Sequence, residues 1–175
     1  MEHKPLLKTL LQLLVDRKNL TATQSQQMLA LMISGQLAPE WLAALLVALQ
    51  SKGIAEQELL GAIHAMRTAM IPVAIEDKQH LIDTCGTGGD GAGIFNVSTA
   101  SALVAASAGV RVAKHGNRSV SSTSGSADVL QQIGVKIDLN AAQVKYCLEQ
   151  ASIAFMFAPI FHPAMKHVAA VRQSL

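Results

Sequence analysis

A glycine-rich turn and the basic segment after it contain the residues of this sequence best suited to chemistry. Gly86-Thr87-Gly88-Gly89-Asp90-Gly91 follows a short apolar run and matches the G-x-G-x-x-G fingerprint of dinucleotide sites. That fingerprint also requires an acidic residue about twenty positions later for the ribose hydroxyls, yet no Asp or Glu occurs between Asp90 and Asp128. No G-K-[ST] follows the turn. The sequence therefore disfavours both a Rossmann nucleotide site and a P-loop.

The acid-free segment is typical of an anion site. Its basic side chains are Arg111, Lys114, His115 and Arg118. Two turns, Asn96-Val97-Ser98-Thr99 and Ser124-Gly125-Ser126, lead into predicted helix N-termini, where amides and hydroxyls bind phosphate oxygens. These residues predict a polyphosphate ligand, to which Lys114 and Arg118 would bring full charges. Taken singly, Ser98 and Ser126 are equally consistent with ordinary N-caps.

Other chemistries find little support. Ser107 approximates a nucleophile elbow but lies late in a predicted helix, and no H-E-x-x-H metalloprotease motif occurs. Cys85 and Cys147 are far apart and outside any C-x-x-C motif, which predicts two buried thiols in a reducing cytoplasm and no structural zinc site.

Short strands and Ala-rich helices must position the anion site. Apolar runs predict strands at 81–85, 110–113 and 153–157, with helices between them at about 98–108, 125–133 and 140–151. Strands that alternate with helices indicate a parallel sheet covered on both faces. Ligands in such sheets bind at the carboxyl ends of strands, which is where the glycine-rich and basic segments begin.

Four helices are predicted before the sheet. The capping-box spacing at Thr21 opens the second helix, Pro39 begins the third, and Pro72 stops the fourth. Residues 41–49 are consecutively apolar, which predicts a helix buried on more than one side, either at the centre of a bundle or at a subunit contact. We expect a helical domain over 1–72 and an α/β domain over 73–175. That sheet is small and open-edged, and a final helix from Pro163 lacks a stop signal, so the domain is expected to be incomplete.

Composition narrows the class of protein. The 175 residues carry 14 Lys+Arg and 12 Asp+Glu, are half hydrophobic, and are 3% aromatic. Such a chain is globular, and its net charge of +2 predicts no nucleic-acid partner. The uncharged run at 91–110 contains too many polar side chains for a membrane span, and no targeting signal is evident, so we expect a cytoplasmic protein.

Five motifs in series resemble one family closely, the anthranilate phosphoribosyltransferases. The resemblance covers the whole chain, and its motifs are Asp83-Thr84-Cys85-Gly86-Thr87-Gly88-Gly89-Asp90-Gly91, Phe95-Asn96-Val97-Ser98-Thr99, Lys114-His115-Gly116-Asn117-Arg118-Ser119-Val120-Ser121-Ser122, Gly125-Ser126-Ala127-Asp128, and Phe157-Ala158-Pro159 with His162-Pro163-Ala164-Met165-Lys166 and Val171-Arg172. It implies a helical bundle followed by an α/β domain of the nucleoside phosphorylase/phosphoribosyltransferase type.

The resemblance also implies an activity and its substrates. The family transfers the phosphoribosyl group of phosphoribosyl pyrophosphate (PRPP) to the amine of anthranilate, with Mg²⁺, in tryptophan biosynthesis. The implied PRPP contacts are Gly86, Gly89, Asp90, Asn96, Val97, Ser98, Thr99, Lys114, His115, Gly116, Asn117, Arg118, Ser119, Val120, Ser121, Ser122 and Ser126. Ser98 would also be a Mg²⁺ ligand, and Gly86, Asn117 and Arg172 would contact anthranilate.

Two departures from the family pattern leave alternatives open. Ile94 stands where the family often has a hydroxyl contact to PRPP, and the adjacent Asp-Glu pair that holds a second Mg²⁺ in the family is not found in these 175 residues. One alternative is a non-catalytic fragment that dimerises through its helical domain and binds phosphate. The other is the related pyrimidine nucleoside phosphorylase, although its phosphate motifs differ from Lys114-His115-Gly116-Asn117-Arg118. For the enzyme, a homodimer through the helical domain is also expected.

Overall fold

The computed structural model describes residues 3–86, 95–119 and 124–175. The chain divides into two compact units: Met1–Met70 with His162–Leu175, and Ile71–Phe161. Within the described residues, no helix combines the length and the apolar character needed to cross a bilayer.

The first unit, here called the helical unit, contains helices from both ends of the chain. They are α1 (Lys4–Val15), α2 (Ala22–Ile33), α3 (Pro39–Lys52), α4 (Glu56–Ala69), a short 3-10 helix (Pro163–Met165) and α9 (Lys166–Ser174). The capping box predicted at Thr21 is confirmed: Thr21 Oγ1 accepts a hydrogen bond from the Gln24 amide (3.2 Å), and Gln24 Oε1 accepts one from the Thr21 amide (2.9 Å). Pro39 begins α3 at the first helical position, as predicted.

The core of the helical unit lies among its helices, each of which turns one face inward. Buried leucines and methionines of α1, α2 and α3 form it, and Val168 of α9 completes it. Within this chain, residues 41–49 do not lie at the centre of the bundle, so that form of the prediction is wrong; the alternative, a subunit contact, stays a prediction. Only Leu42 and Leu45 of α3 are buried, and Val47 is 47% exposed, because α3 packs against α1 and α9 and leaves its remaining face uncovered among the described residues.

A buried ion pair fixes the junction between α3, α4 and the segment before α2. The side chains of Lys52 and Glu58 are 4% and 1% exposed, and Lys52 Nζ lies 2.8 Å from Glu58 Oε2. The same carboxylate accepts hydrogen bonds from the amides of Leu20 (2.9 Å) and Ala55 (2.8 Å). Lys52 Nζ also donates to Asn19 Oδ1 (3.0 Å). The pair is therefore hydrogen-bonded on both sides, as a buried charge must be.

The second unit, here called the α/β unit, contains a three-stranded parallel sheet in the order β1-β2-β3. Its elements are β1 (Leu81–Ile82), α5 (Val97–Ser107), β2 (Arg111–Gly116), α6 (Ser126–Gln132), α7 (Ala141–Ala151), β3 (Ile153–Phe157) and α8 (Ala158–Phe161). Val112 pairs with Ile153, and Gly116 with Phe157. Separate clusters around Phe155 and Phe161 form its core.

The predicted order of strands and helices is confirmed, with differences at the element ends. Strand β1 is shorter than the predicted 81–85, because Asp83 turns its carboxylate back onto the Cys85 amide (3.0 Å). Strand β2 extends three residues beyond the predicted 113, since it pairs with β3 as far as Gly116. The thiols are also less buried than predicted: Cys85 is exposed and Cys147 half-buried.

The compact units differ from the expected domain boundaries at the C-terminal segment. We expected residues 73–175 to form one domain, but residues 162–175 pack with the helical unit. The physical reason is the apolar face of α9, where Val168 is 4% exposed within the helical core. The helical unit is thus built from two separate stretches of the chain.

Candidate functional site

The turn after β1 is joined to the carboxyl end of β2 and to the start of α5. Asp83 Oδ1 accepts hydrogen bonds from the Cys85 amide (3.0 Å) and the His115 amide (3.2 Å). Thr84 Oγ1 donates to the Ser98 carbonyl (2.8 Å). Three elements therefore meet at this edge of the sheet, where open parallel sheets bind ligands.

Asn96 links the N-termini of α5 and α6. As the N-cap of α5, its Oδ1 accepts hydrogen bonds from the Thr99 amide (3.0 Å) and from Ser98 Oγ (3.1 Å). Its amide nitrogen lies 3.4 Å from Ser126 Oγ and 3.5 Å from the Ser124 carbonyl oxygen. The two turns that the sequence marks as anion sites are thus neighbours in space.

Lys114 places a buried ammonium beside these turns. The residue is 2% exposed, and its Nζ donates to Ser98 Oγ (3.1 Å). Burial lowers the pKa of Lys114, while the nearby Asp83 and Cys85 act in the opposite direction. The lysine lines a cavity of about 250 Å³ with mainly apolar walls, which explains the loss of hydration. An ammonium has three donors, so Lys114 can bind an anion while it keeps Ser98.

Arg118 is engaged within the α/β unit, and its expected role as a charge for the ligand stays a prediction. Its guanidinium donates to Asp128 Oδ1 (2.9 Å) and to Gln131 Oε1 (2.8 Å), and lies 5.8 Å from the centre of the Phe157 ring. Asp128 Oδ2 also accepts the amides of Ser119 (2.9 Å) and Gly125 (3.1 Å). The Ser119 amide, with the other hydrogen bonds and the Arg118 charge, lowers the pKa of Asp128.

Gly125 allows the basic segment to lie directly on the start of α6. A Cβ at this position would collide with the Ser119 amide nitrogen and lie 2.8 Å from the Asn117 carbonyl oxygen. That carbonyl accepts a hydrogen bond from the Ala127 amide (3.1 Å). Asp128 and Gly125 together hold the backbone of residues 117–119 in place.

Hydrogen bonds join five of the predicted site residues: Asn96, Ser98, Thr99, Lys114 and Ser126. The predicted site residues that lie in the described part of the α/β unit are Gly86, Asn96, Val97, Ser98, Thr99, Lys114, His115, Gly116, Asn117, Arg118, Ser119 and Ser126. Gly89, Asp90, Ile94, Val120, Ser121 and Ser122 lie outside the described residues. Arg172 is exposed on α9 and belongs to the helical unit.

Asp83, Thr84 and Asp128 have no predicted role, although each organises this edge of the sheet. Asp128 had a detectable signal, since it stands at the third helical position of α6 and closes a capping box onto the Gly125 amide. Asp83 and Thr84 directly follow β1, where polar side chains at a strand end often serve a site.

Comparison with known proteins agrees with this architecture. A family model described as "Glycosyl transferase family, a/b domain" matches residues 78–175, and one described as "Glycosyl transferase family, helical bundle domain" matches residues 8–70. The first alone covers more than half of the chain. The chain therefore belongs to this glycosyl transferase family.

Similar individual proteins are anthranilate phosphoribosyltransferases. The one from Salinibacter ruber is 52% identical over 95% of this chain and 48% of its own length. The crystal structure from Thermus thermophilus is 40% identical, with a TM-score of 0.87 over 94% of this chain and 50% of that one. The Saccharomyces cerevisiae structure, in complex with PRPP and Mg, is 25% identical, with a TM-score of 0.85 over 96% and 50%.

The chain spans about half the length of the curated relatives it matches. The resemblance seen in the motifs is confirmed over this half, and the relatives do not favour the pyrimidine nucleoside phosphorylase.

Proposed function

We propose that this chain provides the PRPP-binding part of an enzyme that transfers the phosphoribosyl group of PRPP to the amine of anthranilate and releases pyrophosphate. One observation carries the proposal: the buried Lys114 ammonium, Ser98 and Asn96 form a continuous hydrogen-bonded set that reaches Ser126. These residues come from β2 and from the N-termini of α5 and α6, and their donors suit the oxygens of a polyphosphate. The relatives named above support the choice of substrate.

The chemistry needs little beyond positioning and charge stabilisation. When pyrophosphate leaves, positive charge develops on the ribose ring and negative charge on the departing oxygen. Lys114 supplies a full charge in a site of low hydration, where such a charge acts strongly. The amine of anthranilate is neutral near pH 7 and attacks without a strong base, so orientation of the two substrates provides most of the catalysis.

Mg²⁺ fits this site only together with the oxygens of PRPP. Ser98 Oγ offers one neutral oxygen but lies 3.1 Å from the Lys114 ammonium, which repels a bare cation. Mg²⁺ prefers oxygen ligands and is commonly held by substrate phosphates, so Ser98 would complete the shell of a Mg²⁺ bound to pyrophosphate. When bound, the ion would neutralise charge on the leaving group.

Anthranilate binding is proposed for Gly86, Asn117 and Arg172. Gly86 is exposed, and no described heavy atom would lie within 4 Å of a Cβ there. The Asn117 carbonyl accepts a hydrogen bond from the Ala127 amide of α6, which fixes its backbone. The guanidinium of Arg172 is suited to bind a carboxylate. All the PRPP contacts expected from the sequence remain predictions, including those of Gly89, Asp90, Val120, Ser121 and Ser122, which lie outside the described residues.

Calorimetric titration of this chain with PRPP and Mg²⁺ tests the phosphate site. Lys114→Gln should weaken PRPP binding roughly 10- to 100-fold, because a hydrogen bond to a charged group contributes about 1.5–3 kcal/mol. Lys78→Gln, an exposed lysine of the same unit, is the matched control and should bind as the wild type does. Equal affinities for the two variants, with both folded by circular dichroism, would contradict the site.

Turnover is tested in the longer polypeptide that carries these residues. With PRPP and Mg²⁺ present, the fluorescence of anthranilate should fall as product forms, and it should be stable when either is omitted. If the full-length protein binds PRPP but leaves anthranilate unchanged, the transfer reaction is refuted, whereas the proposed phosphate site still stands.

The exposed apolar face of α1 and α3 supports a homodimer through the helical unit. A groove of about 640 Å³ is lined by Leu11, Val15, Ala44, Val47 and Ala48, and Val15 is 62% exposed. Burial of such a face stabilises association. Val47→Glu should give a monomer by analytical ultracentrifugation, and Ile133→Glu, the same kind of change at an exposed residue of the α/β unit, should not. A monomeric wild type would refute the dimer.

The cytoplasmic location and the lack of a nucleic-acid partner remain predictions.

A further inference from the structure

Asp83, Cys85 and His115 form a cluster with the donor atoms of a transition-metal site. One ligand atom from each residue, a carboxylate oxygen, a thiol sulfur and an imidazole nitrogen, lies within 4.8 Å of the other two. Asp83 and Cys85 are exposed, and His115 is half-buried. No sequence motif marks this cluster, because His115 lies on the neighbouring strand, thirty residues from Cys85.

The spacing is close to that of a bound metal. Three atoms that are at most 4.8 Å apart can all lie within about 2.8 Å of one central point, where a metal ion would sit. Bonds to zinc are about 2.0–2.3 Å long. Side-chain movements of about 0.5–0.8 Å would therefore bring the three atoms into the coordination sphere. The backbone is already fixed for this, since one carboxylate oxygen of Asp83 holds the amides of both Cys85 and His115.

The donor set selects the class of cation. Thiolate and imidazole ligands suit Zn²⁺, Co²⁺ and related ions, whereas Mg²⁺ takes oxygen ligands alone. We propose that Asp83, Cys85 and His115 form a binding site for a thiophilic divalent cation of the Zn²⁺ or Co²⁺ class. The site is distinct from the Mg²⁺ position proposed at Ser98, whose ligands are hydroxyl and phosphate oxygens.

Two costs oppose binding. The thiol is protonated without metal, because desolvation and the hydrogen bond to Asp83 raise the pKa of Cys85, so binding must release a proton to the solvent. The Lys114 ammonium also lies near enough to interact with Asp83 and Cys85, and it repels a dication. Both costs weaken binding relative to a four-ligand structural site.

Titration of the 175-residue chain with Co²⁺ tests the site through thiolate ligation. Bound Co²⁺ should give a thiolate-to-cobalt charge-transfer band that Zn²⁺ abolishes and an excess of Mg²⁺ leaves unchanged. Cys85→Ser should lose the band, whereas Cys147→Ser, which alters the other cysteine, should keep it. Asp83→Asn and His115→Gln should each weaken Co²⁺ binding about tenfold or more. No band in the wild type at a large excess of Co²⁺, or an undiminished band in Cys85→Ser, would overturn the proposal.

A second measurement does not depend on whether the ligand variants fold. In Cys147→Ser, Cys85 is the only thiol, and Zn²⁺ should slow its reaction with a maleimide whereas Mg²⁺ should not. An unchanged rate with Zn²⁺ would count against the site. Neither measurement uses PRPP, so failure here leaves the proposed transfer reaction standing, and failure of that reaction leaves the metal site standing.

Discussion

Glu58→Gln should strongly destabilise the helical unit. The wild-type carboxylate accepts the Leu20 amide, the Ala55 amide and the Lys52 ammonium, all within 2.9 Å and with 1% of the side chain exposed. A glutamine has one acceptor oxygen, so it leaves donors unpaired and a buried ammonium without its counter-ion. Removing one partner of a buried pair costs about 3–5 kcal/mol, a large part of the roughly 5–15 kcal/mol that stabilises a typical domain.

Urea unfolding followed by tryptophan fluorescence measures this effect directly. Trp41 is the only tryptophan and packs against the helical core, so its emission reports on the helical unit. With an m-value of about 2 kcal/mol/M, a loss of about 4 kcal/mol lowers the unfolding midpoint by about 2 M. The control is Glu56→Gln, an exposed glutamate of the same helix, which should change the free energy of unfolding by less than about 0.5 kcal/mol.

The pH dependence gives a second check on the same pair. Burial raises the pKa of Glu58, but the hydrogen bonds from Ala55 and Leu20 and the Lys52 ammonium outweigh this effect, so the folded-state pKa is lowered. The stabilisation is then fully present above the unfolded-state pKa of about 4.3 and is lost as pH falls through the lower folded-state value. The gap between wild type and Glu58→Gln should narrow below that range. A gap under about 1 kcal/mol at pH 7, or one that widens in acid, would refute the reasoning.

Three further predictions concern other contacts. Gly61→Ala should lower the free energy of unfolding by about 1–3 kcal/mol in urea titrations, because a Cβ there would collide with the Ala22 carbonyl of α2. Helix propensity alone would raise the free energy of unfolding by about 1 kcal/mol, so a gain in stability would disprove the close packing. Asp128→Asn should weaken PRPP binding, measured by calorimetry, because it releases the Ser119 amide. Arg118→Lys should weaken PRPP binding by a smaller factor, and unchanged binding in Asp128→Asn would exclude a positioning role for Asp128. In the longer polypeptide, Arg172→Ala should raise the KM for anthranilate far more than that for PRPP; equal increases would refute its assigned role.

The order of elements followed from the sequence because local signals agreed. The Thr21 capping box, Pro39 and the alternation of apolar runs with Ala-rich segments all indicate the same helices and strands that the structure shows. Lys114, two residues before the end of β2, and the two Ser-containing turns were also identifiable, since strand ends and helix starts are the places where parallel sheets bind anions.

The remaining features depend on contacts between distant parts of the chain. Nothing adjacent to Glu58 in sequence indicates that it will accept the Leu20 amide, and nothing near Arg118 shows that Asp128 and Gln131 will occupy its guanidinium. The one-sided burial of α3 within this chain could not be predicted, because composition gives the apolar character of a helix but not which faces its neighbours cover. The placement of α9 likewise depends on a long-range contact, the burial of Val168.

The division of the helical unit between two stretches of chain has a consequence for synthesis. Val168 reaches the helical core only after the whole of the α/β unit, residues 71–161, has been translated. The first four helices therefore leave the ribosome with part of their apolar surface uncovered until α9 follows. Arrested nascent chains that end before residue 162 should consequently be more sensitive to protease within residues 1–70 than chains in which α9 has left the exit tunnel, and equal sensitivity would show that α9 is dispensable for that core.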